Sequence, residues 1–221
     1  MKLINLIILL IVVFFQYGCF EIVEEISLKK NGSGTFKYTI NFSQSTSKIK
    51  SLMLLEEVEG YKVPTEKKIH SEFDKLVVLS KKINGISNVK DSLDFNNYIF
   101  VYSCDFKHVE NLNTIIDSLN QKSKSVKNNK TNYFSYSISK KIFSRKGDDV
   151  LKQLYNKMTD SQQRIFIGAD YTALYRFENE IKEVSEPNAK ISANKKAVLH
   201  QLKLLILTQR GEAINKIINL K

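Results

Sequence analysis

The chain has 221 residues, of which 43% are hydrophobic, and a formal net charge of +11. This length suits one domain of ordinary size or two small ones, and the composition excludes collagen-like and disordered chains. With 2 cysteines and 3 histidines, the sequence has too few ligands for a disulfide scaffold or a cysteine-rich zinc module. Composition therefore excludes several protein classes without identifying one.

The N-terminus has the features of a bacterial export signal. Lys2 provides a positive end, and residues 3–15 are almost wholly apolar. Because a transmembrane helix needs about 20 apolar residues, this shorter segment fits the core of a signal peptide instead. We predict that residues 1–18 are a signal peptide and that residues 19–221 form a single domain.

A cysteine follows the apolar segment directly. Gly18-Cys19 resembles the lipobox of bacterial lipoproteins, although Gln16 and Tyr17 depart from its usual aliphatic and small residues. The resemblance implies that Cys19 carries acyl chains such as palmitate and anchors the mature chain to a membrane of the cell envelope. Phe20, in place of the aspartate that retains many lipoproteins in the inner membrane, favours the periplasmic or surface face of the outer membrane. An ordinary cleaved signal and an uncleaved anchor are the alternatives.

The first predicted element after the signal is a β-hairpin over residues 22–42. Apolar and polar residues alternate along both strands, and an Asn-Gly-Ser-Gly turn cluster at 31–34 separates them. We interpret Glu21, Glu24 and Glu25 as solvent-facing strand positions rather than as a surface-export signal. Because the first strand begins almost at the predicted lipidation site, the domain is expected to lie close to the membrane.

Two helices and a second hairpin are predicted next. Apolar residues at helical spacing indicate a short helix over 49–55 and a longer one that opens at 63–66. Residues 86–94 and 98–106 alternate around a turn and predict two strands. Cys104 lies in an aromatic row of the second strand, so we interpret it as a buried structural residue rather than a reactive thiol.

A third helix, at about 108–120, leads into a polar segment at 121–130 that contains no acidic residue. We predict that this segment is an exposed loop. Its lysines either contact anionic lipid headgroups or simply decorate a solvated surface. They are Lys122, Lys124, Lys127 and Lys130.

The last third of the chain is predicted to be mostly β-structure. Strands at 134–138 and 140–143 precede a helix capped by Asp148, and residues 161–169 are ambiguous between helix and strand. The remaining strands are predicted at 171–177, 181–184, 189–192, 197–207 and 213–220. The pattern predicts an α+β fold, with antiparallel hairpins forming a sheet and helices packed on one face.

The segment from Cys19 to Thr35 resembles an uncharacterised group of Bacteroidetes lipoproteins, which in turn resemble the LppM-like domain of bacterial envelope proteins. The shared pattern is a cysteine, an acidic-apolar strand, a Gly-Ser-Gly turn and an aromatic strand. The part from Tyr171 to Ile191 also resembles their late strand, which is followed by a turn and an Asn-Ala-Lys stretch, here at 188–190. Residues 177–180 replace a Pro-Gly found in many members. The resemblance covers most of residues 19–221 and implies an envelope role that could include lipid contact. It supplies no catalytic residues.

Motifs for catalysis are absent from the sequence. It contains no Gly-x-Ser-x-Gly elbow, no phosphate-binding loop and no His-Glu-x-x-His. Because His70, His108 and His200 lack ligand spacing, we expect no metal site, no cofactor and no enzymatic activity. The basic charge and ten tyrosines would suit nucleic acid, but the export signal argues against that partner.

Three functions remain, in order of preference. The first is a non-enzymatic, membrane-anchored envelope lipoprotein that contacts envelope lipids or a partner protein. The second is an amphiphile- or lipid-binding module with an internal apolar pocket between the helices and the sheet. The third, with no catalytic constellation to support it, is an envelope hydrolase. The aromatic residues that either line such a pocket or simply form the core are Tyr98, Phe100, Tyr102, Phe134, Tyr136 and Tyr175.

Overall fold

The computed structural model describes residues 20–58, 60–122, 132–147 and 150–221. The predicted signal peptide, Cys19 and the Asp148 cap lie outside the described residues, as do Lys124, Lys127 and Lys130. Lys122 is the last residue of a helix. Within the described ranges, no helix combines the length and the apolar character that crossing a membrane requires.

Strands dominate the described chain, and short helices connect them. The strands are β1 Glu21–Leu28, β2 Gly34–Asn41, β3 Glu57–Val58, β4 Tyr61–Lys62, β5 Ile86–Asp94, β6 Ile99–Phe106, β7 Phe134–Ser137, β8 Ile142–Arg145, β9 Asp170–Phe177, β10 Ile181–Val184, β11 Lys190–Ile191, β12 Ala197–Lys203 and β13 Lys216–Leu220. The helices are α1 Thr46–Met53, α2 Glu66–Lys81, α3 Asn111–Lys122, α4 Val150–Tyr155, α5 Asp160–Gln163 and α6 Leu204–Gln209.

The main sheet has seven strands in the order β11-β12-β9-β1-β2-β6-β5. Its neighbours pair antiparallel, except that β1 and β9 pair parallel at its centre. Since side chains alternate between the faces of a strand, the register places Glu24, Tyr38 and Ala173 on one face. That face is the one covered by the rest of the protein.

A second sheet and a group of helices pack on this inner face. A four-stranded antiparallel sheet, in the order β10-β13-β8-β7, packs over the half of β1 near its C-terminal end. Phe143 of β8 has its ring centroid 5.3 Å from that of Tyr175 and 5.5 Å from that of Phe177. Helices α2, α3, α4 and α6 lie over the half near the start of β1, where they and the sheet share a pocket.

The predicted α+β class is confirmed, one ambiguous segment is resolved, and two segments differ from the sequence-based prediction. The ambiguous residues 161–169 begin as helix, in α5 and a 3-10 turn at Arg164–Phe166. The strand predicted to reach residue 207 ends at Lys203, because the buried Leu204, Leu207 and Thr208 follow helical spacing in α6. The strand predicted from residue 213 begins only at Lys216, after a 3-10 turn at Gly211–Ile214. The sheet is also mixed, because the parallel β1–β9 pair joins distant parts of the chain.

Candidate binding pocket

A pocket of about 510 Å³ lies between the main sheet and the helices. Its volume falls within the roughly 300–1,000 Å³ of typical small-molecule sites. Most of its wall is aliphatic or aromatic, with contributions from the inner face of the sheet and from the apolar sides of four helices. The apolar lining includes Ile22, Phe36, Ile40, Phe73, Leu76, Phe100, Ile115, Ile116, Leu119, Leu151, Leu154, Leu204 and Leu207.

Helical spacing explains why α2 and α3 each present an apolar stripe to this space. Residues three and four positions apart share one face of a helix. Phe73 and Leu76 of α2, and Ile115 and Leu119 of α3, therefore point the same way and line the pocket together. Leu119 remains 42% exposed, so the helical side of the pocket is not fully closed.

A buried ion pair forms the polar end of the pocket. Glu24 in the central strand β1 is 3% exposed, and Arg145 at the end of β8 is 8% exposed. Arg145 donates from Nε to Glu24 Oε1 at 3.0 Å and from Nη2 to Oε2 at 2.9 Å. This two-point contact, the strongest geometry available to an arginine and a carboxylate, joins the two sheets across the core.

Neighbouring groups complete the hydrogen bonds of both charges. The hydroxyl of Tyr175 donates to Glu24 Oε1 at 2.5 Å. Arg145 also donates from Nη1 to the carbonyl oxygen of Lys146, and its guanidinium carbon lies 4.4 Å from the ring centroid of Phe134. Because both ions are paired and hydrogen-bonded, their loss of hydration is offset inside the protein.

The same contacts keep both groups ionised. Burial alone would raise the pKa of Glu24, but the charge and hydrogen bonds of Arg145, with the Tyr175 bond and the Lys216 charge, hold that pKa below its usual value. Burial opposes the charge of Arg145 as well, yet the Glu24 carboxylate raises its pKa well above the ordinary one. The polar end of the pocket is thus a fixed pair of opposite charges.

Two tyrosines border this pair in the pocket wall. Tyr171 of β9 is 4% exposed, and its buried hydroxyl has no hydrogen-bond partner among the described residues. Tyr38, directly opposite Glu24 in the register of β2, also lines the pocket. Burial and the nearby Glu24 charge raise the pKa of both phenols, so they stay protonated and can donate. The Tyr171 hydroxyl is therefore a buried donor without an acceptor among the described residues, which costs free energy.

A second polar group lies behind the ion pair. Lys216 of β13 is 2% exposed and its Nζ sits 5.5 Å from the ring centroid of Tyr175. Neither this ammonium nor the ring nitrogens of buried His200 have a hydrogen-bond partner within the described ranges, and His200 Nε2 lies 3.8 Å from Glu186 Oε1. Burial lowers the pKa of Lys216 to about 8, despite the opposing Glu24 charge. Burial and the Lys216 charge also lower the pKa of His200.

The six aromatic residues proposed from sequence divide between pocket and core. Phe100 and Tyr102 line the pocket. Tyr98 is buried in the turn before β6, and Phe134 packs beneath Arg145. Tyr175 supports Glu24 from the core, and Tyr136 is a half-buried residue of β7. None of these last four lines the pocket described here.

Cys104 is buried at 2% exposure as a free thiol. Burial raises its pKa to about 11, so the thiolate form is scarce at neutral pH.

His70 and His108 are exposed, whereas His200 is in the core. Across the part of the chain that the structure describes, no group of three metal-ligating side chains occurs.

The interpretation of Glu24 as a solvent-facing residue was wrong. Glu21 and Glu25 do lie on the outer face, where Glu25 pairs with Lys37 at 2.9 Å, but Glu24 shares the inner face with Ile22 and Ile26. The period-two alternation of β1 already places Glu24 on the same face as Ile22 and Ile26. Alternation places Arg145 and Lys216 on the buried side of their strands in the same way. Arg145 is two positions from the fully buried Phe143, and Lys216 is two positions from the fully buried Ile218.

Comparison with known proteins gives one distant similarity. No family model and no curated protein sequence matches the chain. Among solved structures, the folded domain of Mycobacterium tuberculosis LppM, determined by NMR, is similar with a TM-score of 0.38 and 11% sequence identity. The alignment covers 91% of this chain and 87% of that chain. The function of the pocket therefore has to be argued from its own residues.

Removing one partner of the buried pair is expected to destabilise the fold strongly. Glu24→Gln leaves the Arg145 charge uncompensated in the core and should lower the free energy of unfolding by about 3 kcal/mol. Combining Glu24→Leu with Arg145→Met should recover most of that loss. The control is Glu25→Gln on the outer face of the same strand, which should cost less than about 1 kcal/mol. Urea unfolding checks the series, and equal losses for Glu24→Gln and Glu25→Gln would contradict the account.

The buried ammonium of Lys216 predicts a pH-dependent stability. Its pKa is about 8 in the folded chain and near the ordinary 10.5 in the unfolded chain, so the unfolded chain binds more protons between these values. The free energy of unfolding therefore rises with pH across this window, by on the order of 1 kcal/mol per pH unit. Lys216→Met should lack this contribution. Urea unfolding of both proteins between pH 7 and 10 measures the difference, and parallel pH profiles would count against a buried charged lysine.

Proposed function

We propose that this chain is a non-enzymatic binding protein of the bacterial envelope that holds one amphiphilic molecule in the pocket. The observation that carries the proposal is a single cavity wall that is apolar over most of its area and charged at one end. The charged residues of that wall, Glu24 and Arg145, form an ion pair with each other. Because the charge is confined to one end of an apolar wall, a molecule with one polar and one apolar part would be held in a fixed orientation.

The two parts of the wall match the two parts of an amphiphile. An acyl or other hydrocarbon chain would lie between the sheet and the stripes of α2 and α3, where its burial is favourable by roughly 25 cal/mol per Å² of apolar surface. The polar head would lie by Arg145, Tyr38 and Tyr171. The unused Tyr171 hydroxyl would then gain the partner that it lacks in the described structure.

The charges around this end favour an acidic head. Glu24 balances Arg145, and Lys216 adds a further positive charge close enough to lower the pKa of Glu24. An excess positive charge in an interior of low dielectric attracts an anion and repels a cation. A carboxylate or phosphate head is therefore the chemistry that the site fits.

The N-terminal sequence supports a location on the envelope. Cys19, in its lipobox-like context, directly precedes Phe20, the first described residue. A diacylated cysteine would hold the domain firmly at a membrane, since two chains anchor far better than one. We propose this anchor as the membrane partner.

Narrowing the pocket should weaken binding without unfolding the protein. Ile116→Trp places a large ring in the pocket wall, whereas Thr114→Trp adds the same ring to the exposed side of the same helix. For the fluorescent probe 11-(dansylamino)undecanoic acid, we expect Ile116→Trp to weaken binding by about tenfold, or about 1.4 kcal/mol, and Thr114→Trp to leave it unchanged. Fluorescence titration gives the affinities, and urea unfolding confirms that both variants fold. Unchanged binding by Ile116→Trp, or absent binding by the wild type, would contradict the proposal.

A further inference from the structure

The predicted lipid attachment lies at a defined end of the domain. Phe20 packs its ring 5.0 Å from that of Phe42 and 6.3 Å from that of Phe166, measured between centroids. Cys19 directly precedes Phe20 in the sequence. We call this the anchored end of the domain; it is where β1 begins and β2 finishes.

Helix α1 belongs to the same end. The chain passes from Phe42 through a 3-10 turn at Ser43–Ser45 into α1, and returns through β3 and β4 to the start of α2. There His70 lies 5.1 Å from Phe95 between ring centroids, and Phe95 lies 5.2 Å from Phe100, the residue against which Phe42 packs at 6.4 Å. Both ends of the segment 43–65 are therefore attached at the anchored end.

The composition of α1 is unusual for a helix on a folded domain. None of its residues is buried, although Ile49, Leu52 and Met53 recur at helical spacing. The two residues that follow are exposed leucines, Leu54 at 86% and Leu55 at 50%. The only charged residues from 46 to 55 are two lysines. A basic and apolar helix of this kind is typical of the membrane interface.

A second exposed apolar residue lies beside the anchor. Ile167 is 58% exposed, and it follows Phe166, which packs against Phe20. Single exposed apolar residues are normal on protein surfaces. Here, however, they lie on segments that flank the predicted lipid attachment from two directions, which points to a shared apolar environment.

We propose that α1, Leu54, Leu55 and Ile167 form a membrane-insertion face that enters the bilayer holding the lipid anchor. This inference rests on the anchor in the proposed function. Insertion is shallow, because Glu56 and Glu57 follow at once and are exposed; these carboxylates remain at the level of the headgroups, where charge is tolerated.

The insertion face also places the pocket next to the bilayer. A continuous row of rings connects the two: Phe20 contacts Phe42, Phe42 contacts Phe100, and Phe100 contacts Phe73 at 6.3 Å between centroids. Phe100 and Phe73 line the pocket, as does Ile22 at the start of β1. Apolar rings therefore extend from the anchored end to the pocket wall.

Single tryptophans test the insertion face in the full chain, which has no natural tryptophan. The variants are Leu54→Trp and Ile167→Trp, with Ile138→Trp as the matched control. Ile138 is 53% exposed, and a Cβ on Gly32, in the turn after β1, would lie 3.7 Å from its Cδ1. It thus sits at the opposite end of β1, about 26 Å from the anchored end for a strand of 8 residues.

Each variant is reconstituted in vesicles of phosphatidylcholine and phosphatidylglycerol with brominated acyl chains, which quench only indoles within the bilayer. We expect emission to fall by about twofold for Leu54→Trp and Ile167→Trp, at an insertion depth of roughly 5–10 Å, and to stay constant for Ile138→Trp. Quenching of all three, of none, or of Ile138→Trp alone overturns the insertion face. Protection of Leu54→Trp from aqueous iodide without quenching by bromine also overturns it, because this indicates a protein contact.

The intact mass of the same preparations separates the two proposals. An acylated chain beginning at Cys19 whose tryptophans are not quenched leaves the anchor in place and rejects the insertion face alone. An unmodified Cys19 rejects the anchor, and with it the proposal that rests on it. Binding of the dansyl probe is measured independently of both, so failure of the pocket is distinguished from failure of membrane contact.

Discussion

The contact between Glu24 and Arg145 is the constraint on which the arrangement of the two sheets depends. It places a carboxylate of the central strand β1 against a guanidinium of the small sheet, with 2.9 and 3.0 Å hydrogen bonds. A buried charge without its partner is strongly unfavourable, so the small sheet is held over this part of β1. The helices cover the other half of the inner face, near the start of β1. They do not fill the space above the sheet there, and the pocket lies between the two.

The pocket gains its polarity from the same contact. Because the pair lies at the boundary between the closely packed sheets and the helical cover, one end of an otherwise apolar cavity is charged. Lys216 and the unused hydroxyl of Tyr171 add positive charge and a donor at that end. Buried polar groups without partners destabilise a fold, and such groups cluster at functional sites. They are the basis for proposing an acidic amphiphile, rather than a neutral hydrocarbon, as the ligand.

Local patterning predicted much of the fold and little of the site. The alternation in residues 22–42 and 98–106 indicated strands that the structure contains, and the spacing of Phe73 and Leu76 indicated α2. The parallel pairing of β1 with β9 could not be predicted, because it joins residues 149 positions apart along the chain and leaves no local signal. In α6, tertiary packing of Leu204 and Leu207 outweighed a composition that suits a strand. The ion pair was missed for a different reason: Glu24 lay at an inward position of the alternation, but its partner came from a strand 121 residues away.

Photocrosslinking in membranes tests most directly whether the pocket holds an amphiphile. The full chain in its membrane is labelled with a fatty acid that carries a diazirine in its acyl chain, and the modified residues are located by mass spectrometry. The account predicts crosslinks on the pocket wall, at Ile22, Ile40 or Ile116, that an excess of palmitic acid suppresses. Crosslinks restricted to exposed residues remote from the pocket, such as Ile138 and Ile217, or insensitive to palmitic acid, would contradict it.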